Sequence, residues 1–217
     1  MNTATAEAVE GLVSGGESNP NVFELNTGDQ FGFAIDVSGS MESNDCVGGV
    51  TRINALKSKV IDFVKEASKY DPDGIDLKTF GHKITSYDNV TAEKAEEIIG
   101  GLKANEASTD TAGVIKAFYE RYKEVGSKEN YVVFVATDGA PNDREAVKQA
   151  IIDITNELTH DKQFNISFLT VGPISEELRK FLTELDDDLK GAKFDIVDVK
   201  ALDEVDFLTA FVGALSD

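Results

Sequence analysis

Short apolar runs that stop at a polar residue, each followed by a segment whose apolar positions recur every three or four residues, constrain this chain more than any other feature. The first run, Phe31-Gly32-Phe33-Ala34-Ile35, halts at Asp36. It shows no polar alternation, as expected of a strand covered on both faces of a parallel sheet. From Thr51 onward Ile53, Leu56, Val60, Phe63, Val64 and Ala67 share one helical face, and Asp71-Pro72-Asp73-Gly74 stops it. Residues 75–80 and 83–87 read as two strands paired around Gly81-His82, followed by a short helix over 92–99 that Gly100-Gly101 ends.

The alternation then continues to the end. A helix over 111–122 carries Ile115, Phe118 and Tyr122 on one face, and a second buried run over 131–136 precedes Asp138. Next come a helix with Val147, Ala150, Ile151, Ile154 and Leu158, a strand over 166–171, and a helix with Leu178, Phe181, Leu182 and Leu185. A strand over 194–199 and a closing helix with Val205, Leu208, Phe211, Val212 and Leu215 complete the set. Elements of these lengths in this order predict an α/β fold: a doubly wound, mostly parallel central sheet, Rossmann-like, flanked by helices, with one antiparallel edge strand. Ligands of such open sheets bind at the carboxyl ends of the strands, near the point where the winding reverses. Asp36 and Asp138 stand at two such ends.

A length of 217 residues with 41% hydrophobic content suits one domain. Residues 1–29 hold Ser14-Gly15-Gly16 and Asn19-Pro20 and no sustained period, so they are expected to form a loop-rich N-terminal arm ahead of a domain over 30–217. Forty acidic against twenty-one basic residues give a formal charge of -19. Such a charge repels phosphate backbones and anionic membrane surfaces, which argues against nucleic-acid and membrane partners. No apolar stretch approaches the roughly 20 residues of a membrane span, and the N-terminus lacks the features of a secretory signal. Cys46 is the only cysteine, which excludes an internal disulfide and fits a reducing compartment. The expected location is cytoplasmic, with a virion as the alternative.

The chemistry concentrates in Ile35-Asp36-Val37-Ser38-Gly39-Ser40-Met41. One carboxylate and two hydroxyls on alternate residues can converge on one side of the loop leaving the strand. All are hard oxygen donors of the kind that Mg²⁺ takes in near-octahedral geometry while keeping some waters.

Asp36-x-Ser38-x-Ser40 after the first buried strand resembles the metal-ion-dependent adhesion site of von Willebrand factor A domains, in the manner of stand-alone bacterial or phage members. In that family a threonine on a later loop and an aspartate after the fourth strand complete the metal site. Ala107-Ser108-Thr109-Asp110-Thr111 and Ala136-Thr137-Asp138-Gly139 stand at the matching places, so the resemblance implies Asp36, Ser38, Ser40, Thr109 and Asp138 as metal ligands. Ser108 and Thr111 are alternatives to Thr109, and Asp110 reads as a helix cap. The metal implied is Mg²⁺, with Mn²⁺ or Ca²⁺ as alternatives. The family docks an Asp or Glu carboxylate of a partner protein on it, and many bacterial relatives act beside an AAA+ ATPase or other subunits of an assembly.

The loop from Glu42 to Val50 is longer than the family pattern. Glu42 and Asp45 there are expected to be solvated, a second cation being the alternative. Asp143 reads as a helix cap, and His82 and His160 as surface histidines.

Enzyme readings find little support. The Asp-x-Asp of haloacid-dehalogenase-type phosphoryl transfer fails because Ser38 occupies the second position, and no Gly-x-Ser-x-Gly, P-loop or dinucleotide fingerprint occurs. The expectation is therefore a non-enzymatic interaction module. A structural subunit of a larger assembly, such as a virus particle, with a merely stabilising metal is the alternative; a metal-dependent hydrolase comes third.

Overall fold

The computed structural model describes residues 29–126 and 130–204. Among the described residues six strands form one sheet in the order β3-β2-β1-β4-β5-β6. They are β1 (Gln30–Asp36), β2 (Ile75–Phe80), β3 (Ile84–Val90), β4 (Tyr131–Thr137), β5 (Phe164–Thr170) and β6 (Val197–Ala201). Every neighbouring pair is parallel except β2 and β3, so β3 is the antiparallel edge strand that the hairpin pattern predicts. The helices are α1 (Arg52–Ala67), α2 (Ala92–Gly101), α3 (Thr111–Glu124), α4 (Arg144–Glu157) and α5 (Glu176–Asp187). None among the described residues is long and apolar enough to cross a membrane.

The uninterrupted apolar runs are explained by two cores, one on each face. In β4, Val132, Phe134 and Ala136 join the core beneath α1 and α2, whereas Tyr131, Val133 and Val135 join the one beneath α3, α4 and α5. Strand residues alternate between faces, so a strand with helices on both sides is apolar at every position. In the first core Phe63 of α1 meets Phe33 and Phe134 edge-on, each at a centroid separation of 4.9 Å. On the opposite face the Phe118 ring lies against Gly32, where a Cβ atom would come within 2.6 Å of the ring.

Some boundaries differ from the sequence expectation. β3 runs on to Val90 because Val90 is buried opposite Ile75; a register shift between Ile75 and Leu77 and a left-handed Asn89 (φ 52) absorb the polar Asp88-Asn89 pair. α2 continues through Gly100-Gly101 before Leu102 caps it. β6 starts later than residue 194, because Lys193 is bound to α4 and its end: its N–H donates to the Thr155 hydroxyl at 3.0 Å and its Nζ to the Leu158 carbonyl at 2.7 Å. The expected closing helix over 205–215 and residues 1–28 of the expected arm lie outside the described residues.

Candidate metal centre

The chain leaves β1 toward β2 but later places β4 on the other side of β1. β1 and β4 run level, with Phe33 opposite Phe134 and Ile35 opposite Ala136. The loops leaving their carboxyl ends therefore diverge from adjacent points, which opens the crevice characteristic of such sheets. Asp36 sits at this point, fully buried. Its Oδ1 accepts the Ser38 N–H at 2.8 Å, and its Oδ2 accepts the Thr137 hydroxyl at 2.6 Å. Burial pushes the Asp36 carboxyl above its usual range; hydrogen bonds from Ser38 and Thr137 oppose this, and the nearby Asp138 adds to it.

After Asp36 the loop turns through a short 3-10 helix, Gly39–Glu42, anchored by the buried Met41. This presents the Ser38 and Ser40 hydroxyls to each other at 3.1 Å. Ser40 Oγ in turn donates to Asp138 Oδ1 at 2.7 Å. The side-chain oxygens of Ser38, Ser40 and Asp138 are thus linked in turn, and Asp36 joins them through the Ser38 N–H.

The Thr109 loop is brought to the same edge by its backbone. Glu106 exchanges main-chain hydrogen bonds with Val37 and Gly39, both at 3.0 Å, and the Asp110 N–H donates to the Gly81 carbonyl. Thr109 is buried, and Asn142 clamps it: the Thr109 N–H donates to Asn142 Oδ1 and the Asn142 N–H to the Thr109 carbonyl, both at 3.1 Å. What joins Thr109 to the others is this backbone clamp on the loop after Asp138. Of the alternatives, the Ser108 hydroxyl donates to the Gly81 carbonyl. The Thr111 hydroxyl is buried without a partner among the described residues. Asp110 and Asp143 cap α3 and α4, accepting from the N–H groups of Gly113 and Ala146. His82 and His160 are exposed.

Sequence reasoning missed Arg52. Its Nη1 donates to Asp138 Oδ2 at 2.8 Å, its Nε and Nη2 fork onto both oxygens of Asp45 at 2.8 and 2.6 Å, and Nη2 also reaches the Pro173 carbonyl at 3.2 Å. Arg52 holds the Asp45 carboxyl below the usual range, and Asp45 and Asp138 together raise Arg52. A signal was present: Arg52 is the first residue of α1, where a positive charge opposes the helix dipole. Asp45 is accordingly ion-paired, and Glu42 Oε1 accepts the Ala104 N–H at 3.4 Å. Thr137 and Asn142, also unassigned from sequence, flank Asp138 in the chain.

No group of three or more His, Cys, Asp and Glu side chains among the described residues is arranged around a common point. In this crevice the donors other than Asp36 and Asp138 are hydroxyls, and such an all-oxygen set suits a hard cation rather than a thiolate- or imidazole-seeking one.

Fold and crevice together define a doubly wound domain with an oxygen-lined site at the reversal of its winding. A sequence profile of the von Willebrand factor type A domain matches residues 31–141, from β1 to the loop after β4, and the chain belongs to that family. Its domains generally serve as protein–protein interaction modules rather than enzymes. No curated protein matches the sequence. Among solved structures the SpRpn10 VWA domain is similar with a TM-score of 0.62 at 14% identity, over 80% of this chain and 87% of that one. The manganese-loaded Plasmodium vivax TRAP protein has a TM-score of 0.59 at 14% identity, over 87% and 75%. A von Willebrand factor type A protein from Catenulispora acidiphila has 0.54 at 19% identity, over 86% and 42%. At these identities the likeness is one of fold.

Proposed function

We propose that this chain is a metal-dependent protein-interaction module, in which Asp36, Ser38, Ser40, Thr109 and Asp138 hold a divalent cation and an Asp or Glu of a partner protein docks on it. The hydrogen-bonded oxygens of Ser38, Ser40 and Asp138, joined to Asp36 through the Ser38 N–H, carry this reading. A bound cation would supply an electrophilic point with a coordination position left for an incoming carboxylate. The donor set fits such an ion. Asp36 and Asp138 are both buried, and Asp138 adds to the cost of ionising Asp36, which a nearby cation would offset. Mg²⁺ is the ion we favour, with Mn²⁺ or Ca²⁺ able to use the same oxygens; the manganese-loaded neighbour supports a divalent ion in this fold.

The chain's own residues do the orienting. Thr137 and the Ser38 N–H fix the Asp36 carboxylate, Met41 anchors the turn bearing Ser40, and Asn142 fixes the Thr109 backbone. The partner is a protein with an accessible acidic side chain, such as an AAA+ ATPase or another subunit of an assembly in the cytoplasm or a virion. The strong negative charge disfavours nucleic acid and anionic membranes in that role.

Thermal unfolding of metal-free protein with and without Mg²⁺, Mn²⁺ and Ca²⁺, beside Asp36→Ala, tests the metal. Native-state binding raises stability by about 2.7 kcal/mol at a hundredfold excess over Kd, and the variant should lose that rise. No rise in the unaltered protein overturns the metal reading and leaves the structural-subunit alternative standing.

A further inference from the structure

We infer that Arg52 is a specificity-determining residue of the centre: its guanidinium, fixed on Asp138, weakens the hold on a cation alone and strengthens capture of a carboxylate once the cation is bound. This rests on the metal reading above.

The placement of Arg52 is built. Its side chain is 12% exposed and is held by Asp138, Asp45 and the Pro173 carbonyl, which belong to separate loops. Room for it comes from Gly172, whose φ of 68° and missing side chain keep the backbone clear; a Cβ there would lie 2.9 Å from Arg52 Nε. The charge also stands in the first turn of α1, where it opposes the helix dipole, so local helix energetics do not account for it.

Asp138 divides its oxygens between two jobs. Oδ1 accepts from Ser40 on the crevice side, and Oδ2 accepts from Arg52. A fixed positive charge in direct contact with a carboxylate lowers the negative potential which that carboxylate offers a metal ion. With a divalent ion, Asp36 and Asp138 alone reach neutrality. Arg52 adds positive charge that Asp45, being 39% exposed, offsets only in part, because water screens the exposed partner more strongly. An incoming carboxylate then meets a centre with positive charge to spare. Cation and partner are thereby coupled: the ion is held loosely until an acidic side chain arrives.

Mn²⁺ titration of the full chain, followed by calorimetry and by water-proton relaxation, tests this with Arg52→Gln, Asp45→Asn and Asp36→Ala. Arg52→Gln should bind Mn²⁺ more tightly and Asp45→Asn more weakly, each by roughly threefold to tenfold. Acetate binding to the Mn²⁺-loaded protein should weaken in Arg52→Gln. If the arginine only tied the loops together, both variants would break the same tie and shift Mn²⁺ affinity in the same direction. That result, or an unchanged affinity in Arg52→Gln, overturns the inference. Should Arg52→Gln fail to fold, Asp45→Asn decides by itself: affinity unchanged or raised is contrary. Failure of the metal reading is distinguishable, since the unaltered protein would then bind no Mn²⁺ or Asp36→Ala would bind it equally well.

Discussion

The Thr137 hydroxyl donates to Asp36 Oδ2 at 2.6 Å, directly beyond the last ladder pair of their strands, Ile35 and Ala136. Thr137→Val keeps the shape of the side chain and removes the donor. A buried carboxylate oxygen then loses a partner, which should cost about 1–3 kcal/mol. Urea unfolding of metal-free protein near neutral pH measures it, and an unchanged midpoint would show that Asp36 draws no support from β4.

Gly32→Ala should destabilise by roughly 1–3 kcal/mol, the usual cost of overpacking. Its new methyl group would lie 2.6 Å from Phe118 Cε1 and 2.8 Å from Cδ1. Shortening the neighbour by Phe118→Leu makes room, so the two losses should sum to more than the double variant shows. Strict additivity in a double-mutant cycle would contradict this contact.

Stability should fall as pH rises across the neutral range because of Asp71. Burial, with help from a hydrogen bond shared with Asp73, pushes its carboxyl up to about 8. In the unfolded chain an aspartate titrates near ~3.9. The folded state therefore holds the proton more tightly: the contribution is fully present below the unfolded value and is lost as pH climbs through about 8. Melting temperatures from pH 5 to 9, beside Asp71→Asn, check the sign. The variant should flatten the decline, and an equal slope in both proteins would assign it elsewhere.

Asn142→Ala should lower metal-free stability by about 1 kcal/mol, since the Thr109 N–H loses its acceptor. On the metal reading it should also shrink the stabilisation given by Mg²⁺, because Thr109 is then held only through its carbonyl, by the Asn142 N–H. A full Mg²⁺ response in this variant would show that the Asn142 side chain does not position a ligand.

β1 and β4 were legible because burial on both faces writes itself into them as apolar runs, and β2 and β3 through the Gly81-His82 turn between them. The helices were legible because each is apolar on one side only, as the stripe from Ile53 to Ala67 shows. Asp36, Ser38 and Ser40 were legible through their spacing, and Asp110 and Asp143 as caps through local turn chemistry. The partner of Arg52 was not, because Asp138 lies far along the chain and becomes a neighbour only when β1 and β4 pair. The start of β6 was obscured for a similar reason: Phe194 looks like strand, but Lys193 is held to α4 and its end.

The loop from Asp36 leads into α1 on one side of the sheet, whereas the loops carrying Thr109 and Asp138 adjoin α3 and α4 on the other. The crevice is consequently a seam between two helix layers. On the proposed function, whatever bridges Ser40 to Asp138 would work as a rivet through that seam, so that a pull on either layer would reach the grip on a docked protein.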